Sequence, residues 1–192
     1  MLRNRLGITS ADELARAEAD LTALRLIELR DRPLPGGYDL AHLQAFHWHI
    51  FSDIYEWAGQ LRTVSIGKGR LFCLPQDLES FATEVFGNLH RDGLLRGRDR
   101  DEFVSDLAGL LGDINTLHPF REGNGRTQRA FLAQLAIDAG YELRWTAMGR
   151  TENNQASRDA LAGDTDRLRA MLDPLVRPLP QPPPQRPASD SS

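Results

Sequence analysis

The chain has 192 residues, with 23 Lys and Arg against 27 Asp and Glu, and this formal net charge of −4 argues against a general nucleic-acid-binding protein. It has no apolar run of about 18 residues that could span a membrane, and its first residues lack the apolar segment of a secretion signal. A single cysteine, Cys73, excludes internal disulfides and a multi-cysteine zinc site. We therefore expect a cytoplasmic domain that binds neither nucleic acid nor a membrane.

Two amphipathic helices are predicted in the first third of the chain. Ser10 and Glu13 have the spacing of a capping box, and apolar residues at helical spacing follow them. A segment rich in proline and glycine, residues 33–37, ends this helix. Asp39 can cap a second helix, whose apolar positions predict an end at Gly59.

The rest of the chain is also predominantly helical in pattern. Apolar residues at helical spacing mark a third helix, and Asp99 with Glu102 forms a second capping-box pattern at the start of a fourth. The predicted helices cover residues 78–89, 99–117, 124–140, 152–162 and 165–175.

One stretch departs from the helical pattern. Polar and apolar residues alternate from Arg62 to Ile66, glycines on either side of Lys68 allow a turn, and the chain runs back through Leu71 to Cys73. This pattern is typical of a short β-hairpin. Because a lone hairpin is marginally stable, it must lie against the helices or await a partner strand.

The end of the chain is a proline-rich tail. Residues 178–192 contain more than half of the eleven prolines and few apolar side chains that could be buried, so we expect this segment to be disordered. The predicted organisation is an N-terminal helix and connection packed on the core (1–37), a main domain (38–177) and this tail.

The densest group of chemistry-bearing residues lies between the fourth and fifth helices. Residues 118–129 read His-Pro-Phe-Arg-Glu-Gly-Asn-Gly-Arg-Thr-Gln-Arg. Gly123 and Gly125 allow a tight turn before a helix, whose first N–H groups form an anion-binding cradle. Arg126 and Arg129 are three residues apart and share one helix face. Two guanidiniums beside such a cradle suit a polyphosphate.

A carboxylate and an imidazole precede this cradle. Glu122 would repel a phosphate unless a divalent cation lay between them, and Mg²⁺ favours a shell of one carboxylate, phosphate oxygens and water. The ordinary pKa range of histidine suits His118 to the role of a general base at neutral pH. These residues indicate a nucleoside triphosphate with Mg²⁺ and a base for an attacking group. Taken singly, each also has a structural explanation, such as a common Gly-Asn-Gly turn or a surface ion pair, and we expect Phe120 to be a core residue.

The same string resembles the Fic family signature, His-Pro-Phe-x-(Asp/Glu)-Gly-Asn-Gly-Arg-x-x-Arg, at every specified position. Residues 53–59 (Asp-Ile-Tyr-Glu-Trp-Ala-Gly) are similar to the segment before the family's flap, residues 66–72 to the flap, and residues 139–141 to the end of the motif helix. The resemblance covers residues 38–175. It implies an all-α, Fic-type helical domain with a short β-hairpin flap next to the active site.

The resemblance also implies an activity, protein adenylylation, in which AMP passes from ATP to a Ser, Thr or Tyr hydroxyl of a target protein. By position, His118 would remove the hydroxyl proton, and Glu122 would hold Mg²⁺ at the α- and β-phosphates. The phosphates would be bound by Asn124, by the amides of Gly123 and Gly125, by Arg126 at the β-phosphate and by Arg129 at the γ-phosphate.

The flap is the expected docking site of the target. An extended segment can add to its free edge through main-chain hydrogen bonds, which places a hydroxyl within reach of His118. Lys68 and Gly69, at the flap turn, would approach the nucleotide, or else form a solvent-exposed turn. Asn154 lies where family members contact the adenine.

Two other functions stay open at this point. One is a Fic relative that transfers phosphate or phosphocholine, although kinase-like relatives have Ala-Asn-Lys in place of residues 123–125. The other is a nucleotide-binding module without catalysis, against which the presence of His118 argues.

Regulation is expected to come from outside the chain. Fic enzymes are commonly inhibited by a helix with the pattern (Ser/Thr)-x-x-x-Glu-(Gly/Asn), whose glutamate pairs with the second arginine of the motif. Ser or Thr precedes Glu by four residues at Thr9, Ser52 and Ser80, but neither Gly nor Asn follows the glutamate. We predict a toxin that is held inactive by a small antitoxin protein, whose glutamate reaches Arg129.

Overall fold

The computed structural model describes residues 2–67 and 71–180, which form seven α-helices and one small antiparallel sheet. This architecture confirms the predicted all-α class. None of the helices in the described part is long and apolar enough to cross a membrane. The helices are α1 (Ala11–Asp31), α2 (Leu40–Phe51), α3 (Leu78–Arg91), α4 (Arg100–Leu117), α5 (Asn124–Asp138), α6 (Arg150–Ala160) and α7 (Asp166–Leu172), and the strands are β1 (Tyr141–Leu143) and β2 (Val176–Pro178).

Helices α4 and α5 lie at the centre of the fold. Helix α2 packs on α5, α1 packs on α2, and α3, α6 and α7 pack on α4. An aromatic cluster joins α2, α3 and α5 around the fully buried Phe131. The rings of Tyr38, His42, Phe46 and Phe86 lie around it, with centroids 5.5 to 5.8 Å from its own. Burial of such aromatic area stabilises the packing of α5 against α2 and α3.

The predicted starts of α1, α2 and α4 are confirmed by their caps, whereas α6, predicted from residue 152, begins at Arg150. The Ser10 hydroxyl accepts a hydrogen bond from the Glu13 N–H at 3.4 Å, and an Asp39 carboxylate oxygen caps α2 in the same way. At α4 both halves of the capping box are present, because Asp99 and Glu102 each accept the other's backbone N–H. These local patterns are reliable because a cap needs only residues within one turn.

The predicted end of α2 at Gly59 is wrong, since the helix ends at Phe51. From there to Gly59 the chain forms a series of turns and folds back along α2. The side chain of Gln44 donates to the Gly59 carbonyl, and the ring of His47 accepts the Gly59 N–H, both at 2.8 Å. The Ile54 carbonyl accepts the N–H of Arg5 at 2.7 Å. Contacts with distant residues therefore override the apolar spacing.

The two-stranded sheet was not predicted. Strands β1 and β2 have three residues each, too few to show an alternating pattern. Pro178 pairs with Tyr141, and the Leu179 N–H donates to the Gly140 carbonyl at 2.9 Å. The first residues assigned to the proline-rich tail therefore lie against the end of α5, and residues 181–192 of that tail lie outside the described residues.

The described part of the flap contains one antiparallel bridge, between Gly67 and Leu71. The Phe72 N–H also donates to the Ile66 carbonyl at 3.1 Å. At its base the flap is bonded to the segment around the end of α4, through Arg62 N–H to the Pro119 carbonyl and Cys73 N–H to the Thr116 carbonyl, both 2.9 Å. The hairpin is therefore shorter than predicted but lies where the motif begins.

Candidate active site

His118 lies at the point where α4 ends and the motif loop begins. As the C-cap of α4 it has φ 40° and ψ 58°, a left-handed conformation that is uncommon for a residue with a β-carbon. Its imidazole stacks on the ring of Phe72 from the flap, with centroids 3.8 Å apart and planes 6° apart. The flap therefore sets the plane of the candidate base.

Two neighbouring residues close the motif loop. The Asn124 side chain accepts the Phe120 N–H at 2.9 Å and donates to the Phe120 carbonyl at 2.7 Å, so both of its polar atoms bind the loop backbone. Phe120 is fully buried, as expected of a core residue. In this structure Asn124 contributes to the site by shaping the loop, while its predicted contact with phosphate stays a prediction.

His47 supports the loop from α2 and was not singled out by the sequence. Its Nδ1 accepts the Gly59 N–H at 2.8 Å, so its Nε2 carries the proton and donates to the Glu122 carbonyl at 3.0 Å. Burial lowers the pKa of His47 to about 4, which keeps it neutral. His42 and His49 lie on the same helix, so the sequence gives no signal that His47 alone reaches the motif.

Glu122 and Gly123 form the entrance to the anion cradle. The Glu122 carboxylate is exposed and accepts the Gly123 N–H at 2.9 Å. Gly123 has φ +80°, and a β-carbon at this position would lie 2.3 Å from the ring of Phe51. Glycine is therefore required at this position, because any other residue would have a disfavoured φ and a β-carbon that clashes with Phe51.

Arg129 is a half-buried cation on the wall of the cavity. Burial, followed by the nearby charge of Arg126, lowers its pKa. Among residues 2–67 and 71–180, no carboxylate forms an ion pair with Arg129. Because a desolvated cation is costly without a counter-charge, this position favours an anionic ligand.

Arg126, predicted to bind the β-phosphate, has protein partners in this structure. Its guanidinium forms an ion pair with Glu18 of α1, donates to the Thr22 hydroxyl at 3.2 Å, and lies over the Phe51 ring at 4.8 Å. Glu18 in turn accepts the hydroxyl of Tyr55, whose pKa is raised by burial and by this bond. Arg126 thus connects α5 to α1, a contact across 108 positions that no local pattern indicates.

A cavity of about 920 Å³ joins these groups. Its wall includes the start of α5 and the less polar side chains of Trp145, Met148 and Leu161. The Trp145 ring N–H donates to the Arg129 carbonyl at 3.0 Å, which joins these two parts of the wall. The cavity brings together the predicted site residues His118, Glu122, Gly123, Asn124, Gly125, Arg126, Arg129 and Asn154. Lys68 and Gly69 lie outside the described residues.

The fold and the cavity define a class of protein. It is a helical domain in which one cavity is lined by a histidine, a carboxylate and the start of a helix that carries glycines and arginines. The chain belongs to the Fic/DOC family, whose model matches residues 37–136.

Named relatives extend this similarity over most of the chain. "Probable protein adenylyltransferase Fic" of Salmonella typhimurium is 40% identical over 177 residues, covering 92% of this chain and 88% of that protein. "Protein adenylyltransferase VbhT" of Bartonella schoenbuchensis is 39% identical over 173 residues, but this chain spans only 36% of its length. The solved N-terminal Fic domain of a Bartonella quintana effector, with bound ADP, superposes with a TM-score of 0.88 at 27% identity, covering 93% of this chain and 92% of that one.

The buried neutral His47 makes stability depend on pH. Between pH 6.5 and about 4 the unfolded chain binds a proton at this residue that the folded chain does not. The contribution of neutral His47 to the free energy of unfolding is therefore complete above pH 6.5. It falls by about 3 kcal/mol as the pH falls towards 4. In urea unfolding at several pH values, the free energy of unfolding of His47→Gln should fall less between pH 6.5 and pH 4 than that of the parent. The exposed His90→Gln should keep the parent profile, and equal profiles for all three proteins would contradict the assignment.

The Glu18–Arg126 pair should stabilise the fold as a unit. Both side chains are largely buried, 13% and 24% exposed, so removing either one strands the other charge and should cost about 2 kcal/mol or more. In a double-mutant cycle, Glu18→Ala with Arg126→Ala should cost at least about 1 kcal/mol less than the sum of the singles. The exposed Glu142–Arg144 pair is the control, with a coupling of about 0.5 kcal/mol or less. Additive costs at Glu18 and Arg126 would show that the pair is not coupled.

Proposed function

We propose that the chain is a protein adenylyltransferase that transfers AMP from ATP to a Ser, Thr or Tyr hydroxyl of a target protein. The observation that carries this proposal is the complete Fic signature around one cavity, whose wall includes His118 and a half-buried Arg129 that has no ion-pair partner in the described part of the chain. Relatives about 40% identical over nine-tenths of the chain have this activity in their names, and the Bartonella quintana domain holds ADP.

The cavity suggests how ATP would lie. The adenine would lie against Trp145 and Met148, in the part of the wall that includes Asn154, because an apolar and aromatic surface suits a planar base. The triphosphate would extend to the start of α5, where the helix dipole, the first-turn amides and Arg129 are positive. A further contact from Lys68 and Gly69 stays part of the proposal.

His118 would act as general base. The hydroxyl oxygen of the target attacks the α-phosphorus, the bond from that phosphorus to the bridging oxygen breaks, pyrophosphate leaves, and the imidazole receives the hydroxyl proton. The stack on Phe72 fixes the imidazole plane, which supplies the orientation that such a transfer requires. The cationic helix start would stabilise the charge that develops on the phosphates.

A Mg²⁺ ion fits Glu122. The described residues contain no group of three His, Cys, Asp or Glu side chains that could hold a metal by themselves, and Glu122 offers one exposed carboxylate on the cavity wall. One carboxylate completed by phosphate oxygens and water is a donor set that Mg²⁺ accepts. When bound, the ion would neutralise the α- and β-phosphates.

The biological role that we propose is that of a cytoplasmic toxin. A target segment would dock on the flap, where Val64 and Leu71 are exposed, 45% and 65%. Inhibition would come from a small antitoxin protein in trans, whose glutamate would pair with Arg129. This is supported by the lack of a complete inhibitory pattern in the sequence and by the lack of a described carboxylate partner for Arg129.

The chemistry is tested with ATP labelled at the α- or γ-phosphate. We expect label from the α position, and not from the γ position, to enter protein in a bacterial lysate. His118→Ala should abolish labelling, because no base takes the proton, and should keep ATP affinity within about three-fold. Label from the γ position would indicate a kinase, binding without labelling would indicate a nucleotide-binding module, and full activity of His118→Ala would refute the assignment of the base.

The metal site is tested by Glu122→Gln. This change removes the charge and keeps the size, so ATP binding should lose its dependence on Mg²⁺ and transfer should fall about 100-fold. Glu79→Gln, the same change at an exposed position of α3 that does not line the cavity, is the matched control. Isothermal titration with and without Mg²⁺ measures binding, and undiminished transfer in excess chelator would contradict a role for the ion.

The toxin role is tested in living bacteria. Induced expression of the chain should arrest growth, and His118→Ala should not, because arrest depends on transfer. Co-expression of a small partner with a Ser/Thr-x-x-x-Glu-Gly helix should restore growth and co-purify with the chain. Unimpaired growth despite vigorous labelling of cell protein would separate the enzyme activity from the toxin role and refute the latter.

A further inference from the structure

Arg62 lies at the base of the flap and is almost completely buried, with 4% of its surface exposed. Within residues 2–67 and 71–180, its guanidinium donates only to backbone carbonyls. Nε donates to the carbonyl of His118 at 2.8 Å, and Nη1 to that of Val64 at 2.9 Å. Nη2 donates to the carbonyls of Cys73 and, at 3.4 Å, Leu117.

This guanidinium has no carboxylate partner in the described part of the chain. Burial lowers the pKa of Arg62, as expected for a desolvated cation. Its compensation comes from the carboxyl end of α4, where the last carbonyls have no partner within the helix and carry partial negative charge. Arg62 therefore serves as a side-chain cap for α4 at the residue that would act as base.

The same guanidinium holds both limbs of the flap. Val64 belongs to the limb that enters the flap and Cys73 to the limb that leaves it. Phe72, next to Cys73, is the residue whose ring stacks on the imidazole of His118. One buried side chain thus fixes the backbone of His118, and through Cys73 it fixes the ring that sets the imidazole plane.

We propose that Arg62 is a positioning residue for the transfer reaction. By holding the carbonyl of His118 together with carbonyls from both limbs of the flap, it keeps the base and the target-docking edge in one fixed relative position. The inference rests on the proposed function for its kinetic consequence, but the geometry it describes exists without nucleotide or target.

The shape of the guanidinium explains why arginine is required. A planar fork of five N–H donors reaches four carbonyls in different directions, whereas the ammonium of lysine donates from a single atom. Arg62→Lys keeps the positive charge and most of the apolar stem but loses the fork. Arg62 does not line the nucleotide cavity, so the substitution should leave ATP affinity unchanged.

The position of His118 can be measured without activity. In the full-length protein with labelled histidines, NMR signals of five rings are expected, and His118→Ala identifies the signal of His118. The parallel Phe72 ring should shift the His118 ring protons upfield in the parent. Arg62→Lys should lose most of this shift and leave the other histidines unchanged. Arg100→Lys, which loses a guanidinium contact between α4 and Asp173 far from the flap, should retain the parent signal.

The kinetic measurement uses ATP labelled at the α-phosphate. Arg62→Lys should lower kcat about 100-fold, because a misplaced base loses the near-attack geometry, while KM for ATP stays within about three-fold. Transfer by Arg62→Lys within about three-fold of the parent would overturn the proposal, and so would a large loss of kcat with an unshifted His118 signal. If the parent transfers no AMP, the proposed function fails, and the His118 signal alone decides whether Arg62 positions the ring.

A second variant covers the case in which Arg62→Lys does not fold. Phe72→Leu keeps Arg62 and removes the ring that links the flap to the base. We expect it to lower kcat by at least about ten-fold and to leave ATP affinity unchanged. A parent-like kcat in Phe72→Leu would overturn the proposed coupling between the flap and His118.

Discussion

The left-handed turn at His118 is the constraint on which the rest of the site depends. It ends α4, aims the imidazole at the cavity and starts the motif loop, at a conformational cost of about 1–2 kcal/mol for a residue with a β-carbon. Contacts from three directions offset that cost: Arg62 holds the carbonyl, the Phe72 ring covers the imidazole, and Asn124 closes the loop that follows. The strain is tolerated because the surroundings over-determine the turn.

Three arginines near this turn show how partner chemistry separates side chains of one type. Arg62 is compensated by backbone carbonyls at the end of α4 and Arg126 by the carboxylate of Glu18, whereas Arg129 has neither kind of described partner and borders the cavity. Each lies within a partly desolvated environment, so each needs negative charge. The protein itself supplies negative charge to Arg62 and Arg126. The position of Arg129 on the cavity wall leaves its negative partner to a ligand.

The sequence predicts those parts of the fold that are encoded locally. Caps such as Asp99 with Glu102, and the spacing of the 118–129 motif, need only neighbouring residues, so the helix starts and the location of the cavity follow from pattern. The end of α2, the short sheet and the partners of Arg62 do not follow, because each is decided by residues far away in sequence. The Glu18–Arg126 pair is the clearest case: a helical surface glutamate in the pattern becomes a buried ion-pair partner only in the folded protein.

The long separations within the site also determine when it forms. Arg62 and His118 are 56 positions apart and Glu18 and Arg126 are 108 apart, and contacts of such range form late, after the loops between them have closed. During synthesis the chain has no complete cavity until α6, whose residues form part of the cavity wall, has emerged. The geometry of the site is therefore a property of the finished fold, and a chain that ends before α6 lacks part of the cavity wall.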